Sequence, residues 1–465
     1  TRLIGTEQGL GVNIGGNLAA LTGSLSLAAN GDVTITPTGR VQSAADASIS
    51  APNVSNQGVI TSPGNVTVSG STTNTGTLVA GGNATLTGPQ IANSGTIGAG
   101  VDTNGNVTQP GAVALNATGA VRNSGNLLAG QSIGVTGASI DASNGNVATQ
   151  GAVSLSATGD VATRSATISG GNVTVQAGGT LDNTAGSLSS NTTLQVGAQR
   201  VVNQSGLLAS TGNTSINTGS LDNTSGALGS NSGSLTINGT GDITNAKGKL
   251  VAAQDVSITG GSLGNQGGTV SAQNLSLNTG TGAVDNTGGT VSAAGTANVT
   301  AGSLVNQGGT LAAAGNVAAN VATLDNTSGV LGSSSGTLNV NSTGAITNAG
   351  GKLVAAQDVA LGGASLGNQA GAISARNLAL NTGAGAVDNS SGSIAASGTA
   401  NVQAGNLVNR GGTLAATGDV TTTVASVDNT GGALGSNTGN LTVNSAGSIA
   451  NASGGKLVAA QDVTL

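Results

Sequence analysis

An asparagine that returns every twenty or so residues constrains this 465-residue chain more than any other feature. It stands at Asn183, Asn203, Asn223, Asn245, Asn265, Asn286, Asn306, Asn326, Asn348, Asn368, Asn389, Asn409, Asn429 and Asn451. Each time it sits in a unit of the form apolar-x-Asn-x-x-Gly-x-apolar-x-small, followed by an apolar-x-apolar pair. One unit reads Leu304, Asn306, Gly309, Leu311, Ala313, Val317 and Ala319 before Leu324 opens the next. Steps of 22, 20, 21, 20 and 20 recur as a block of 103 residues, so GKLVAAQDV reappears at 248, 351 and 455, the last copy displaced by Ser453.

Within each unit apolar residues alternate with small polar ones, and Gly, Asn, Ser or Thr interrupts every run. Alternation with β-branched residues predicts short strands, and glycines this frequent would cost a helix about 1 kcal/mol each. Three short strands in twenty residues cannot fold alone, but stacking unit on unit pairs each strand with its equivalent one coil away. The expected fold is therefore all-β, a right-handed parallel β-helix (β-solenoid) with coils of about 20 residues, right-handed because parallel crossovers are so in about 98 % of cases. Some 22 coils at about 4.8 Å each would make a rod on the order of 100 Å long.

Positions two before and five, eleven and thirteen after each Asn are expected to point inward as columns of Leu, Val, Ile and Ala. The Asn is expected to take a left-handed turn conformation and to bond amide to amide with its neighbour, while the Gly three residues on supplies a second turn. Asp precedes the ladder Asn at 182, 222, 285, 325, 388 and 428, never in consecutive coils from 182 onward. Adjacent carboxylates would repel by about 0.9 kcal/mol even in water, so the spacing reads as avoidance of like charge.

Composition narrows the function. The chain has no Cys, His, Met, Trp, Tyr or Phe, which removes the usual general bases, nucleophiles, soft metal ligands and stacking platforms, so no enzyme, no cofactor and no metal are expected. With 11 Lys and Arg against 17 Asp and Glu, a net charge of −6, there is no basic face for nucleic acid. Gly at 82 and Pro at 5 fall short of a disordered low-complexity chain, and 37 % hydrophobic residues can bury a narrow core. No apolar run long enough for a membrane span occurs, and the chain, opening on Thr1, reads as a segment of a longer one.

The sequence divides into residues 1–53, an irregular lead-in without clear phase; 54–180, less regular coils; and 181–465, the regular block repeats. Pro37, Pro52, Pro63, Pro89 and Pro110 all lie early, and none follows, as a long stack of paired strands requires. The repeat is legible at Asn56, Asn74, Asn93 and Asn123, then at Ala142 and Thr163 in the ladder position. Between Asn93 and Asn123 the step is 30, and either a coil is truncated or an extra hairpin turns at Asn104-Gly105. Val101, Asp102, Asn104 and Gly105 in this stretch, 98–110, are the one place where recognition by the coils themselves is expected.

Other features read as structural. Asn65-Val66-Thr67 and Asn172-Val173-Thr174 have the form of glycan acceptors but arise from turn-strand composition, and Lys249, Lys352 and Lys456 read as solubilising charges. Thr269, Thr290 and Thr310 would stack as on an ice-binding face, but Val330, Lys352 and Ala372 interrupt the row. A polysaccharide-active β-helix would need converging acids and bases that this chain lacks.

The stretch LVNQGGTLAAAGNVAANVATLDN, Leu304 to Asn326, resembles the haemagglutinin repeat of filamentous haemagglutinins and contact-dependent-inhibition exoproteins, and the resemblance covers residues 54–465. It implies a secreted filament on a Gram-negative cell surface, exported by an outer-membrane partner transporter, that serves as an adhesin or as a stalk presenting a receptor-binding or toxin region. The implied partners are that transporter, engaged through a region outside this chain, and a host or target-cell receptor or glycan. In that family the transporter-recognition domain precedes the repeats and any toxin follows them; neither is recognisable here. The alternative is that the rod surface itself binds the receptor or glycan.

Overall fold

The computed structural model describes residues 2–5 and 9–465. It comprises two compact units, Thr1–Gly233 and Ser234–Leu465. Among the described residues every regular element is a β-strand, and each unit is a parallel β-solenoid wound from one kind of coil.

One coil of the second unit shows the plan. Strand Thr310–Ala313 turns a corner into the long strand Val317–Asp325, which bends at Ala322; from Asn326 a turn leads to Val330–Ser333. In other coils the bend splits the long strand, as in Leu338–Ser342 and Ala345–Thr347. Pairing is parallel and in register: Val299 lies over Ala319, Leu304 over Leu324 and Leu311 over Leu331. Like therefore stacks on like, and the inward columns are sealed from solvent, with Leu304, Leu311, Leu331 and Leu353 at 0 % exposure. Aliphatic side chains suffice because the space between the three faces is thin.

The turn after the ladder Asn differs from the sequence reading. The left-handed residue is neither the Asn nor the Gly three further on but the residue between, two past the Asn: Gly308 (φ 59°), Ser328 (φ 55°), Gly350 (φ 61°) and Ala370 (φ 53°). The hydrogen bond from Gly309 N to Asn306 O closes the turn and holds even Ser and Ala there. Gly309 is required for a different reason. A Cβ on it would run into the carbonyl oxygen of Asn286 and crowd the amides of Asn286 and Asn306, so the ladder leaves no room for a side chain.

The lead-in is also more regular than it reads. Val12, Asn13 and Ile14 pair with Val33, Thr34 and Ile35, which pair in turn with Val54, Ser55 and Asn56. Ile14 and Ile35 thus occupy the ladder position, and the phase is hidden because no Asn marks it. The part of the lead-in at residues 1 and 6–8 lies outside the described residues.

Candidate functional site

The Asn column is a continuous amide ladder in the second unit. Asn306 Nδ2 donates to Asn326 Oδ1 at 2.7 Å, and the same bond at the same length links every step from Asn245 through Asn265, Asn286, Asn306, Asn326, Asn348, Asn368, Asn389, Asn409 and Asn429 to Asn451. Each amide also donates to backbone, Asn306 Nδ2 to the carbonyls of Gly309 (3.3 Å) and Val330 (2.9 Å). The amides from Asn245 to Asn429 are buried, so each of their bonds satisfies groups that would otherwise be costly.

In the first unit the ladder is interrupted. It runs Asn56, Asn74, Asn93, Asn123, stops at Ala142, and resumes when Thr163 Oγ1 donates to Asn183 Oδ1 at 2.9 Å, with Asn183, Asn203 and Asn223 following. Asn56 Oδ1 is buried with no donor, because the preceding coil offers Ile35. Earlier coils also use a turn shorter by one residue, Asn74-Thr75-Gly76 against Asn183-Thr184-Ala185-Gly186, and the ladder lapses where the turn lengthens.

A second set of cross-coil bonds accounts for the alternating aspartates. The residue after the ladder position in one coil reaches the Asp of the next: Gln204 to Asp222, Gln266 to Asp285, Gln307 to Asp325 and Gln369 to Asp388 at 2.6–2.8 Å, with Arg164, which follows Thr163, to Asp182 and Arg410 to Asp428 both at 2.6 Å. The other carboxylate oxygen caps its own turn, Asp325 Oδ1 accepting from Thr327 N at 3.0 Å and Thr327 Oγ1 at 2.6 Å. Burial pushes the carboxyls of Asp182, Asp222, Asp325 and Asp388 up, but these hydroxyl, amide and Arg donors outweigh it and hold each below the usual carboxylate value. The repeated pairs Asn-Gln and Asp-Asn-Thr carried this signal in the sequence, one coil apart.

The stretch 98–110 is an extra hairpin inserted between two intact coils. Asn93 still bonds Asn123 across the step of 30, and Ile97 still pairs with Leu127. The chain leaves strand Thr96–Ala99 at Gly100 (φ 66°), and Val101 bridges Val107 antiparallel, with Gly105 (φ 85°) at the tip. Asp102 organises the loop: its Oδ1 accepts from the backbone N of Asn104 and Asn106, and its Oδ2 from Asn106 Nδ2 at 3.0 Å. These bonds, that of the Asn106 amide foremost, lower the Asp102 pKa. Val101, Gly105, Val107 and Leu128 line a hollow of about 320 Å³, whereas Asn104 points to solvent at the tip. Among the described residues no group of His, Cys, Asp and Glu is arranged to hold a metal, and no helix is long and apolar enough to cross a membrane.

The model of the haemagglutinin repeat matches residues 20–88, 168–247, 230–288, 270–350, 333–391, 373–453 and 437–465. The chain belongs to the haemagglutinin-repeat family. The unmatched stretch holds the hairpin and the lapse in the amide ladder, where the repeat departs most from its own pattern. No curated protein and no solved structure matches this haemagglutinin-repeat chain.

Proposed function

We propose that this chain is the structural rod of a secreted two-partner-secretion exoprotein, which holds a receptor-binding or toxin region away from a Gram-negative cell surface. The observation that carries the reading is the unbroken amide ladder from Asn245 to Asn451, which fixes every coil on the last by the same bond and gives a repeating unit whose number can change without altering its neighbours. Its export would use an outer-membrane partner transporter acting on a region outside these residues. Adhesin and toxin stalk place the same mechanical demand on these coils, and neither requires catalysis. Deleting residues 248–350 from the full parent protein should shorten the object by about 24 Å, five coils, and leave cell binding or toxin delivery intact. Loss of cell binding with the fold preserved would instead place recognition on the coils. The hairpin at Val101–Val107, with its partly apolar hollow, favours that second reading at one location.

A further inference from the structure

The four-residue strands of the second unit, from Lys249–Ala252 to Ala433–Ser436, form one face whose outward side chains are mostly small and carry charge only at Lys249 and Lys352. Two kinds of position break its flatness in opposite senses. At the third place of its strand Gly332 lies between Ala312 and Val354 of the neighbouring coils, and Gly435 follows Ala415 in the same way. The main chain keeps Gly332 bare, because a Cβ on it would run into the carbonyl oxygen of Val354. Val354 and Val251, at the same strand position, project instead, Val251 at 39 % exposure. Ala312, Val330, Gly332 and Val354 line a shallow hollow of about 440 Å³.

The first unit shows what such a notch accepts. Val79, Gly98 and Leu128 stack at the same strand position in the same apolar-Gly-apolar order. There the chain covers the notch itself: the inserted hairpin folds back so that Val101 occupies the space above Gly98, where a Cβ would meet Val101 Cγ2, and Val79 falls to 5 % exposure. A β-branched aliphatic side chain therefore fits over the glycine. The coils around Gly332 and Gly435 carry no such insertion, and their notches stay open.

A knob that stands one strand spacing, about 4.8 Å, from its own hole is self-complementary under a two-fold axis running along the strands between them. Rotation about the line between Val330–Ser333 and Lys352–Ala355 sets Val354 of each copy over Gly332 of the other. Val251 lies five coils before Val354 and Gly435 five coils after Gly332, so the same rotation sets Val251 over Gly435. Between these points small residues face small ones, and the Lys352 stem crosses Val330 of the other copy with its ammonium reaching solvent at the rim. The face is ten strands long. At about 48 Å by 13 Å, two such faces bury about 1,200 Å², which suffices for a specific pair at the weak end of the range. We propose that this face pairs with the same face of a second copy of the chain, the two solenoids antiparallel. The pairing goes beyond the rod reading and does not depend on what the rod presents.

Sedimentation equilibrium of the 465-residue chain should show monomer and dimer in exchange, with a dissociation constant on the order of 10 µM. Val354→Lys drives a charge into both central notches and should weaken the pair at least about 100-fold. Asn339→Lys, the same charge facing outward on the long-strand face, should pair as the parent does. Should Val354→Lys misfold by circular dichroism, Ala312→Lys charges the same hollow from another outward position and should act alike. Register is read by cross-linking, since the chain has no Cys. The rotation sets Ser292 of one copy opposite Ala395 of the other, so Ser292→Cys and Ala395→Cys should be joined by a bismaleimide of about 10 Å only when the two variants are mixed. A parent chain that stays monomeric to about 100 µM, unchanged pairing in Val354→Lys and Ala312→Lys, equal loss in Asn339→Lys, or cross-linking of either Cys variant with itself overturns the proposal.

Discussion

In the second unit every coil from Asn245 to Asn451 hands an amide hydrogen bond to the next, whereas in the first unit the ladder begins at Asn56 with an unmatched oxygen and lapses between Asn123 and Thr163. Yet stacking does not fail at the lapse. Val121, Ile140, Val161 and Leu181 still pair in sequence and are 0–2 % exposed. The apolar columns therefore hold the coils together, and the ladder performs a separate task, fixing the shape of the turn. Where it lapses, the constraint relaxes in two ways: turn length changes, and Ala166 takes the place otherwise kept for Gly.

If that division of labour is right, removing one rung should matter most where rungs flank it on both sides. Asn306→Ala takes the donor from Asn326 Oδ1 and the acceptor from Asn286 Nδ2, both buried, and should lower the local opening free energy of those coils by about 3 kcal/mol. Asn123→Ala, whose next coil offers only Ala142, loses a bond on one side and should cost about half as much. Native-state hydrogen exchange reads each coil separately. Equal costs at the two sites would show that continuity of the ladder adds nothing.

The glycine makes the next contrast. Gly309→Ala would force the new methyl into the carbonyl of Asn286 and should destabilise by about 2 kcal/mol, as overpacking does. Ala166→Gly, at the equivalent place in the lapsed coil, should cost no more than about 1 kcal/mol, from chain entropy. Thermal melts of the two variants separate a steric requirement from a turn preference, because a conformational preference would penalise both coils alike.

What could be read from the sequence follows the same line. The columns, the coil length and the stacking of Asn306 on Asn326 were legible because one residue type marks the phase. Ile14 and Ile35 hid the phase of the first coils, since an apolar residue in the ladder position looks like any other core residue. The step of 30 left two readings because a truncated coil and an inserted hairpin have the same length; only the retained pairing of Ile97 with Leu127 separates them. The alternating aspartates showed in the sequence as spaced charges. Their donors escaped notice because Gln307 and Asp325 are 18 residues apart, and only the stacked register brings them together. The left-handed position was missed because Ser, Ala, Lys and Gly all fill it, so no single residue type announces it.

Acid should distinguish the carboxylate clamps from the amide ladder. Asp325, Asp388 and Asp428 in the second unit and Asp182 and Asp222 in the first have folded pKa values below the ordinary carboxylate value. Their contribution is therefore fully present above that value and is lost as pH falls through the lower folded value. Melting temperature should hold steady from neutral pH to about pH 5 and fall below about pH 4, while the Asn amides, which do not titrate, keep the coils in register. Asp325→Asn should lose under about 1 kcal/mol at neutral pH and show a shallower acid limb. An acid limb equally steep in that variant would mean that the loss of stability arises elsewhere.

The smallest effect is a repair. Ala142 is buried in the ladder column directly above Asn123, and Gly145 already supplies the side-chain-free position that an Asn at 142 needs. Ala142→Asn would give Asn123 Nδ2 the acceptor it lacks and place a donor beside the Gly145 carbonyl, as Asn183 does with Gly186. Against this stands the desolvation of one amide, so the net gain should be below about 1 kcal/mol, visible as slower exchange in the coils around residue 142. A stabilised variant shows that the lapse is a missing rung in an otherwise competent column. A destabilised one shows that the longer turn beginning at Ala142 has moved the column out of bonding reach, and that the first unit consists of two ladders of different pitch joined by their apolar core.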